Sequence, residues 1–212
     1  MTKSYFRPEK LADALKLLSQ PRTFPLGGGT VLNQKRKKSK SVVDLQLLGL
    51  NIIHRINNGT EVGATATLQS LFEFNQTPQA LKVALKHEAQ LNIRNVATVG
   101  GSIVACDGRS PLLTVLFALD PLVFLVPGDV QIHLGDILPF RPDDLKGKII
   151  TKIRIPGNVC VAYEYVSRTP MDKPIICVAV VKWSSARIRM VLGGWGKSPT
   201  LGYDGKYSFS SG

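Results

Sequence analysis

Two glycine-rich stretches hold the residues that could bind an anion. The first runs Leu26-Gly27-Gly28-Gly29-Thr30-Val31-Leu32, and the second, about 70 residues later, runs Thr98-Val99-Gly100-Gly101-Ser102. Glycine has no Cβ, so backbone N–H groups beside it can come within hydrogen-bond reach of a phosphate. A single glycine pair more often marks a tight turn. Because both stretches join glycines to a small hydroxyl residue between apolar flanks, the pair predicts two phosphate cradles, which suits a diphosphate.

The segments around these loops resemble a known family. Tyr5-Phe6-Arg7-Pro8 precedes the first loop, and Glu61-Val62-Gly63-Ala64-Thr65-Ala66-Thr67-Leu68 lies between the loops. An apolar run ending in Leu119-Asp120-Pro121 and the segment 150–156 follow the second loop. In this order the segments resemble the FAD-binding subunit of molybdenum hydroxylases, the xanthine and aerobic carbon monoxide dehydrogenases. The resemblance covers roughly residues 4–200.

The resemblance implies a fold, a cofactor and partners. It implies an α+β chain with a two-part FAD-binding domain and a small, mostly β C-terminal domain that lacks its usual helices. Both glycine loops would hold the FAD pyrophosphate, and Ile150 would also contact FAD. The partners would be a large subunit with the molybdenum cofactor and a small 2Fe-2S subunit. Electrons would pass from the iron–sulfur centres through FAD to NAD, quinone or oxygen.

Three positions depart from the family pattern. Val31 stands where relatives often have Asp or Ser. Pro111 stands where many relatives place an Asp near the flavin, and Glu164 stands where some have a basic residue. Arg168 and Asp172 fit the pattern. Because of the departures at Pro111 and Glu164, an alternative function stays open: a non-redox assembly or scaffold subunit that has kept the fold and lost FAD.

The positive charge of the chain has three interpretations. The formal net charge is +12, and much of it lies at residues 35–38 and at Lys40, directly after the first glycine loop. Such a run is most often a solvated loop. It could also face the FAD phosphates or an acidic partner. Nucleic acid ranks last, because no aromatic residue is interleaved with the run to stack a base.

Other bulk features narrow the class of protein. An apolar content of 44% suits a packed core. No apolar run reaches the roughly 18–20 residues of a membrane span, and the polar N-terminus has no secretory pattern, so we expect a cytoplasmic protein. Cys106, Cys160 and Cys177 are odd in number and set among apolar residues. This favours reduced core thiols. His54 and His133 have no second ligand at metal-binding spacing.

Local patterns predict the elements that position the loops. Strands at 23–26 and 41–45 flank the first loop and the basic run. Asn57-Asn58-Gly59 predicts a hairpin turn, and Thr67 and Ser110 predict helix N-caps. Further helices are predicted at 8–19 and 78–91, and further strands at 123–126, 130–134, 149–155, 159–167, 175–183 and 186–192. We expect an FAD-binding domain over 1–156 with a subdomain boundary near residue 57, a small β domain over 157–201, and a flexible tail over 202–212.

Overall fold

The computed structural model describes residues 2–31, 40–142, 145–169 and 172–206. These residues form helices and strands arranged around three sheets, and the predicted α+β class is confirmed. Leu32 and residues 35–38 of the basic run lie outside the described residues. Within the described ranges, no helix is both long enough and apolar enough to cross a membrane.

The N-terminal part is a small parallel sheet covered by one helix. Its elements are β1 (Thr2–Phe6), α1 (Leu11–Leu18), β2 (Thr23–Leu26) and β3 (Lys40–Asp44). The strand order is β1-β3-β2, with both pairs parallel. Ala14 and Leu18 of α1 are buried in one cluster with Val43 of β3. Burial of a Leu side chain contributes about 1.5–3 kcal/mol, which holds the helix on the sheet. The helix begins later than predicted, because Lys10 has an extended backbone.

The middle part is an antiparallel sheet with most of the helices. Its elements are β4 (Ile53–Ile56), β5 (Gly59–Gly63), α2 (Leu68–Glu73), α3 (Gln79–Glu88), α4 (Leu91–Arg94), α5 (Val99–Ala105), α6 (Pro111–Leu119), β6 (Leu122–Val126), β7 (Val130–His133), α7 (Leu134–Ile137) and β8 (Ile149–Pro156). The strand order is β4-β5-β8-β6-β7. The predicted hairpin turn joins β4 to β5. Gly59 has a φ of +150°, and a Cβ there would overlap the carbonyl oxygen of Ile155, so the turn requires glycine.

Both predicted helix caps are confirmed. The side-chain oxygen of Thr67 accepts from the N–H of Ser70, and that of Ser110 accepts from the N–H of Leu113. Every residue of α6 is buried, as its uniformly apolar sequence predicts. This helix lies at the centre of the large hydrophobic cluster.

The C-terminal part is a four-stranded antiparallel sheet. Its strands are β9 (Val159–Val166), β10 (Ile176–Trp183), β11 (Arg187–Gly193) and β12 (Thr200–Lys206), in the order β12-β11-β10-β9. Helices α3 and α6 pack against one face of this sheet. One cluster of buried residues therefore spans both the middle and C-terminal sheets, from Val62 to Val191. The predicted division at residue 156 coincides with a change of sheet and stays a prediction.

Three expectations require correction. A boundary near residue 57 would cut the β4–β5 hairpin, and the change of sheet falls between Asp44 and Ile53 instead. The tail expected from Gly202 onward is partly wrong, because residues 202–206 belong to β12 and pair with β11. Cys160 is exposed rather than in the core, although all three cysteines are free.

The attachment of β12 predicts a pH-dependent loss of stability. Arg187 donates two hydrogen bonds of 2.7 Å to the carboxylate of Asp204 in β12. These bonds lower the pKa of Asp204 below its usual range. A carboxyl whose pKa is lower in the folded state stabilises the fold above its unfolded pKa, near 3.9, and loses this effect as pH falls through the folded value.

We therefore expect Asp204→Asn to lower the free energy of unfolding by about 0.5–1 kcal/mol at neutral pH. The difference from the parent should vanish once the pH falls below the folded-state pKa of Asp204. Urea denaturation across this pH range measures it. Glu9→Gln, an exposed acid outside any ion pair of the described residues, is the control. Equal stability of Asp204→Asn and parent at neutral pH would contradict the assignment.

Candidate cofactor site

The first glycine loop begins where β2 ends. Leu26 is the last residue of β2, and a half-buried turn follows, made of Gly27, Gly28, Gly29, Thr30 and Val31. Gly29 has a φ of +70°, in the left-handed region that favours glycine. The N–H groups of Gly28, Gly29 and Thr30 donate to no described residue. Half-buried donors need a partner, and an anionic ligand can provide one where no described residue does.

The second glycine loop is the first turn of α5. Thr98 is the N-cap, and its Oγ1 accepts from the N–H of Gly101 at 3.2 Å. The N–H of Val99 donates to the carbonyl of Ala66, and the N–H of Gly100 donates to the carbonyl of Ala64. The backbone donors at this turn are therefore already used by the protein. Gly101 is exposed and Ser102 is buried.

The structure brings the two loops together. A Cβ on Gly28 would overlap the carbonyl oxygen of Val96, just ahead of the second loop. A Cβ on Gly27 would lie 2.5 Å from Oγ1 of Thr98. Residues about 70 positions apart in sequence are thus in direct contact, as a single diphosphate site requires.

The glycines of the two loops have different roles. Gly28 and Gly100 allow close packing within the protein. A Cβ on Gly28 would overlap the Val96 carbonyl, and a Cβ on Gly100 would lie 2.9 Å from Cβ of Ala64. A Cβ on Gly101 would come close only to the side-chain oxygen of Thr98, at 2.8 Å. The sequence suggested one role for all of them. The first loop offers N–H groups that donate to no described residue, and Gly101 is the open glycine of the second loop. This arrangement fits a diphosphate.

Ile150, which the resemblance places in contact with FAD, is buried in the core. It is 7% exposed, in β8, where it packs into the large hydrophobic cluster. The next residue, Thr151, accepts a hydrogen bond from the N–H of Ala64, and Ala64 lies against Gly100. Ile150 is thus connected to the second loop through its neighbours, but the structure does not bring it to the loop surface.

A buried carboxylate lies at the N-terminus of α6, although Pro111 removes the acid expected there. The Glu88 side chain from α3 is 7% exposed. Its Oε2 accepts from Oγ of Ser110 at 2.5 Å and from the N–H of Leu112 at 3.2 Å. Nζ of Lys173 lies 3.1 Å from its other oxygen. The start of α6 therefore carries a negative group, which the helix dipole favours.

The sulfur of Cys106 lies 3.8 Å from a carboxylate oxygen of Glu88. Burial, followed by the charge of Glu88, raises the pKa of Cys106 to about 12. The thiolate is the nucleophilic form, so Cys106 stays protonated at neutral pH.

The two departures at the flavin end do not share a pocket. Glu164 pairs with Val178, on the face of the C-terminal sheet opposite to α6. Its side chain is exposed. Pro111 is buried as the first residue of α6. The structure therefore separates these positions, which the sequence placed together beside the flavin.

Sequence reasoning gave no role to Glu88, Ile93 or Val96. Ile93 and Val96 immediately precede the second loop and are 43% and 49% exposed. Large apolar side chains exposed next to a candidate phosphate loop suit the flat rings of a nucleotide. Their position next to the loop was a usable signal. Glu88 gave no such signal, because its proximity to α6 is set by tertiary packing.

Comparison with known proteins agrees with this geometry. The sequence profile described as the FAD binding domain in molybdopterin dehydrogenase matches residues 1–158. An uncharacterised protein, YgfM, of Escherichia coli (strain K12) is 31% identical over 198 residues, covering 92% of this chain and 75% of that protein. The glyceraldehyde dehydrogenase medium chain of Sulfolobus acidocaldarius is 30% identical over 194 residues, covering 84% of this chain and 68% of that one.

Solved structures show the same fold. A chain of reconstituted CO dehydrogenase from Oligotropha carboxidovorans superposes with a TM-score of 0.81 at 22% identity, covering 95% of this chain and 78% of that chain. Quinoline 2-oxidoreductase from Pseudomonas putida 86 gives a TM-score of 0.81 at 19% identity, covering 93% and 76%. The fold agrees with the profile match over residues 1–158, and that match places the chain in the family of FAD binding domains of molybdopterin dehydrogenases.

Proposed function

We propose that this chain is the electron-transfer flavin subunit of a molybdenum hydroxylase-type dehydrogenase. It would take electrons from the 2Fe-2S centres of a small subunit and pass them to NAD, quinone or oxygen. The meeting of the two glycine loops, with three N–H groups in the first that donate to no described residue, is the observation that carries the proposal. When bound, FAD supplies the one- and two-electron redox chemistry, and the protein supplies position.

Residues of both loops would hold the FAD diphosphate. The N–H groups of Gly28, Gly29 and Thr30 would donate to it, because they donate to no described residue. Gly101 would let the ligand approach the start of α5, where its surface is open. Thr98 would act indirectly, since its Oγ1 already fixes the first turn of α5.

The partner assignment rests on the family. One relative is described as a medium chain, which is a name for one part of a larger assembly. The partners proposed here are a large subunit with the molybdenum cofactor and a small 2Fe-2S subunit. Three free thiols suit a reducing compartment, so the proposed location of the complex is the cytoplasm.

Nucleotide titrations separate this function from a scaffold that has lost FAD. A ligand that binds only the folded chain stabilises it by about 2.7 kcal/mol at a hundredfold excess over its dissociation constant. We expect FAD and ADP to raise the melting temperature by similar amounts, because both carry the diphosphate, and AMP to raise it far less. A thermal-shift series with the three nucleotides measures this. Absence of a shift with either diphosphate would favour the scaffold, and equal shifts with AMP and ADP would contradict the diphosphate assignment.

Two glycine substitutions test the separate roles of the loops. Gly28→Ala forces its methyl group into the Val96 carbonyl, so it should cost about 1–3 kcal/mol of stability without any ligand. A Cβ at position 101 meets only the Thr98 hydroxyl, so Gly101→Val should cost about 1 kcal/mol through the cap. It should nevertheless weaken FAD binding at least tenfold, on the order of 1.4 kcal/mol.

Urea denaturation of the FAD-free chain and quenching of flavin fluorescence measure the two effects. The variants serve as controls for each other. If folded Gly101→Val held FAD as tightly as the parent, the second loop would not face the diphosphate.

A further inference from the structure

The first glycine loop leaves the N-terminal sheet at the edge where its three strands end. These strands are parallel, so their carboxyl ends lie along one edge. Leu26, the last residue of β2, is in register with Asp44, the last residue of β3. The N–H of Leu45 donates to the carbonyl of Leu26 at 3.0 Å. The start of the first loop is therefore fixed to the end of β3.

Asp44 is a buried carboxylate at this edge, and it is 6% exposed. Its Oδ2 accepts from the hydroxyl of Tyr5 in β1 and lies 3.5 Å from Nε of Arg7. Its Oδ1 accepts from the N–H of Gln46 at 3.0 Å, in a turn that aspartate commonly makes with the residue two positions later. The hydrogen bond to Asp44 is the main cause of a raised pKa of Tyr5, so the hydroxyl stays protonated and donates at neutral pH.

Gln46 connects this carboxylate to the first glycine loop. Its side-chain Nε2 donates to the carbonyl oxygen of Gly27 at 3.4 Å. Since the backbone N–H of Gln46 is bonded to Asp44, the side-chain amide extends from a fixed point. Gly27 also lies against the second loop, because a Cβ there would be 2.5 Å from Oγ1 of Thr98. Gly27 is thus held between the end of β3 and the N-cap of α5.

The carbonyl of Gly27 determines the direction of the first donor of the loop. The peptide between Gly27 and Gly28 is trans. In a trans peptide the C=O and N–H groups lie in one plane and point in opposite directions. The bond from Gln46 therefore turns the N–H of Gly28 away from the end of β3. Because glycine adopts a wide range of backbone angles, this peptide would rotate more easily without that bond.

We propose that Gln46 is a positioning residue for the diphosphate site, held in place by Tyr5 through Asp44. This role rests on the proposed function, because it takes the first loop as the part that binds the diphosphate. Gln46 does not need to touch the ligand, since it fixes the peptide whose N–H donates to a phosphate. Oδ2 of Asp44 is turned toward Tyr5 and Arg7, so the group that the loop meets is a neutral amide. The positive charge of Arg7 offsets the carboxylate and limits its repulsion of a phosphate.

Isothermal titration of the 212-residue chain with ADP, and then with FAD, tests this role. Gln46→Met keeps a neutral side chain of similar length and removes the donor. It should raise the dissociation constant of ADP about fivefold, the size of effect expected of one neutral hydrogen bond. Gln131→Met, at an exposed position of β7, is the matched control and should leave binding unchanged. Circular dichroism checks that all variants are folded.

The two possible failures of this titration differ. If the parent bound ADP or FAD and Gln46→Met bound it as tightly, the positioning role would be wrong and the proposed function would stand. A parent that bound neither nucleotide would overturn the proposed function and the positioning role together.

A double-mutant cycle tests the connection through Asp44. Tyr5→Phe removes the hydroxyl that donates to Asp44, and it should raise the dissociation constant of ADP about threefold. The variant with both Tyr5→Phe and Gln46→Met should bind about fivefold more weakly than the parent, because Tyr5 acts on the loop through Gln46. Independent effects would multiply to about fifteenfold, and that result would overturn the connection.

The amide signal of Gly28 separates positioning from a general loss of stability. When ADP saturates the parent, the amide proton of Gly28 should move downfield, because it then donates to a phosphate oxygen. In Gln46→Met at saturation the shift should be less than about half as large, since the peptide is no longer held toward the ligand. Proton–nitrogen correlation spectra of the labelled chain measure both shifts. Equal shifts in parent and variant, or no shift in the parent, would contradict the role of Gln46.

Discussion

The contact between Gly28 and the carbonyl of Val96 is the constraint on which the site depends. The first loop leaves a parallel sheet and the second begins a helix of the antiparallel part, so the proposed diphosphate site needs both parts. The two parts are also joined through β8. Ile149 packs into the N-terminal cluster, while its neighbour Ile150 packs into the large one. Successive side chains of a strand point to opposite faces, so one strand contributes to both cores.

Two carboxylates with little solvent exposure connect the ends of α6 to other elements. Glu88 of α3 binds the start of α6 and Lys173, and Asp120 after α6 binds Arg189 of β11. The Arg189 and Asp120 side chains are only 6% and 11% exposed. Each side chain also has a second partner: Asp204 lies 3.5 Å from Arg189, and His133 lies 3.4 Å from Asp120. Both ends of α6 are therefore fixed to other elements by charge, in addition to its complete burial.

The sequence predicted what local signals determine. Asn57-Asn58-Gly59 specified its hairpin, Ser110 and Pro111 specified the start of α6, and the central strands followed from alternation. The role of each glycine was harder to predict from the sequence, because it depends on which atoms pack beside the position where a Cβ would lie. Gly28 and Gly100 serve packing, which only the tertiary structure reveals. Strand β12 was missed because its polar sequence has no apolar alternation, and its pairing with β11 and the bonds from Arg187 compensate.

The start of α6 shows why a single aligned position misleads. From the sequence, Pro111 indicates the loss of an acid. The N-terminus of α6 nevertheless has a carboxylate, which Glu88 supplies from a helix more than 20 residues earlier. Proline has no N–H to donate, so the next residue, Leu112, donates to Glu88 instead. The first N–H groups of a helix need an acceptor or a negative charge nearby, and any element of the fold can provide it. In this chain Glu88 of α3, and not the first residue of α6, provides that group.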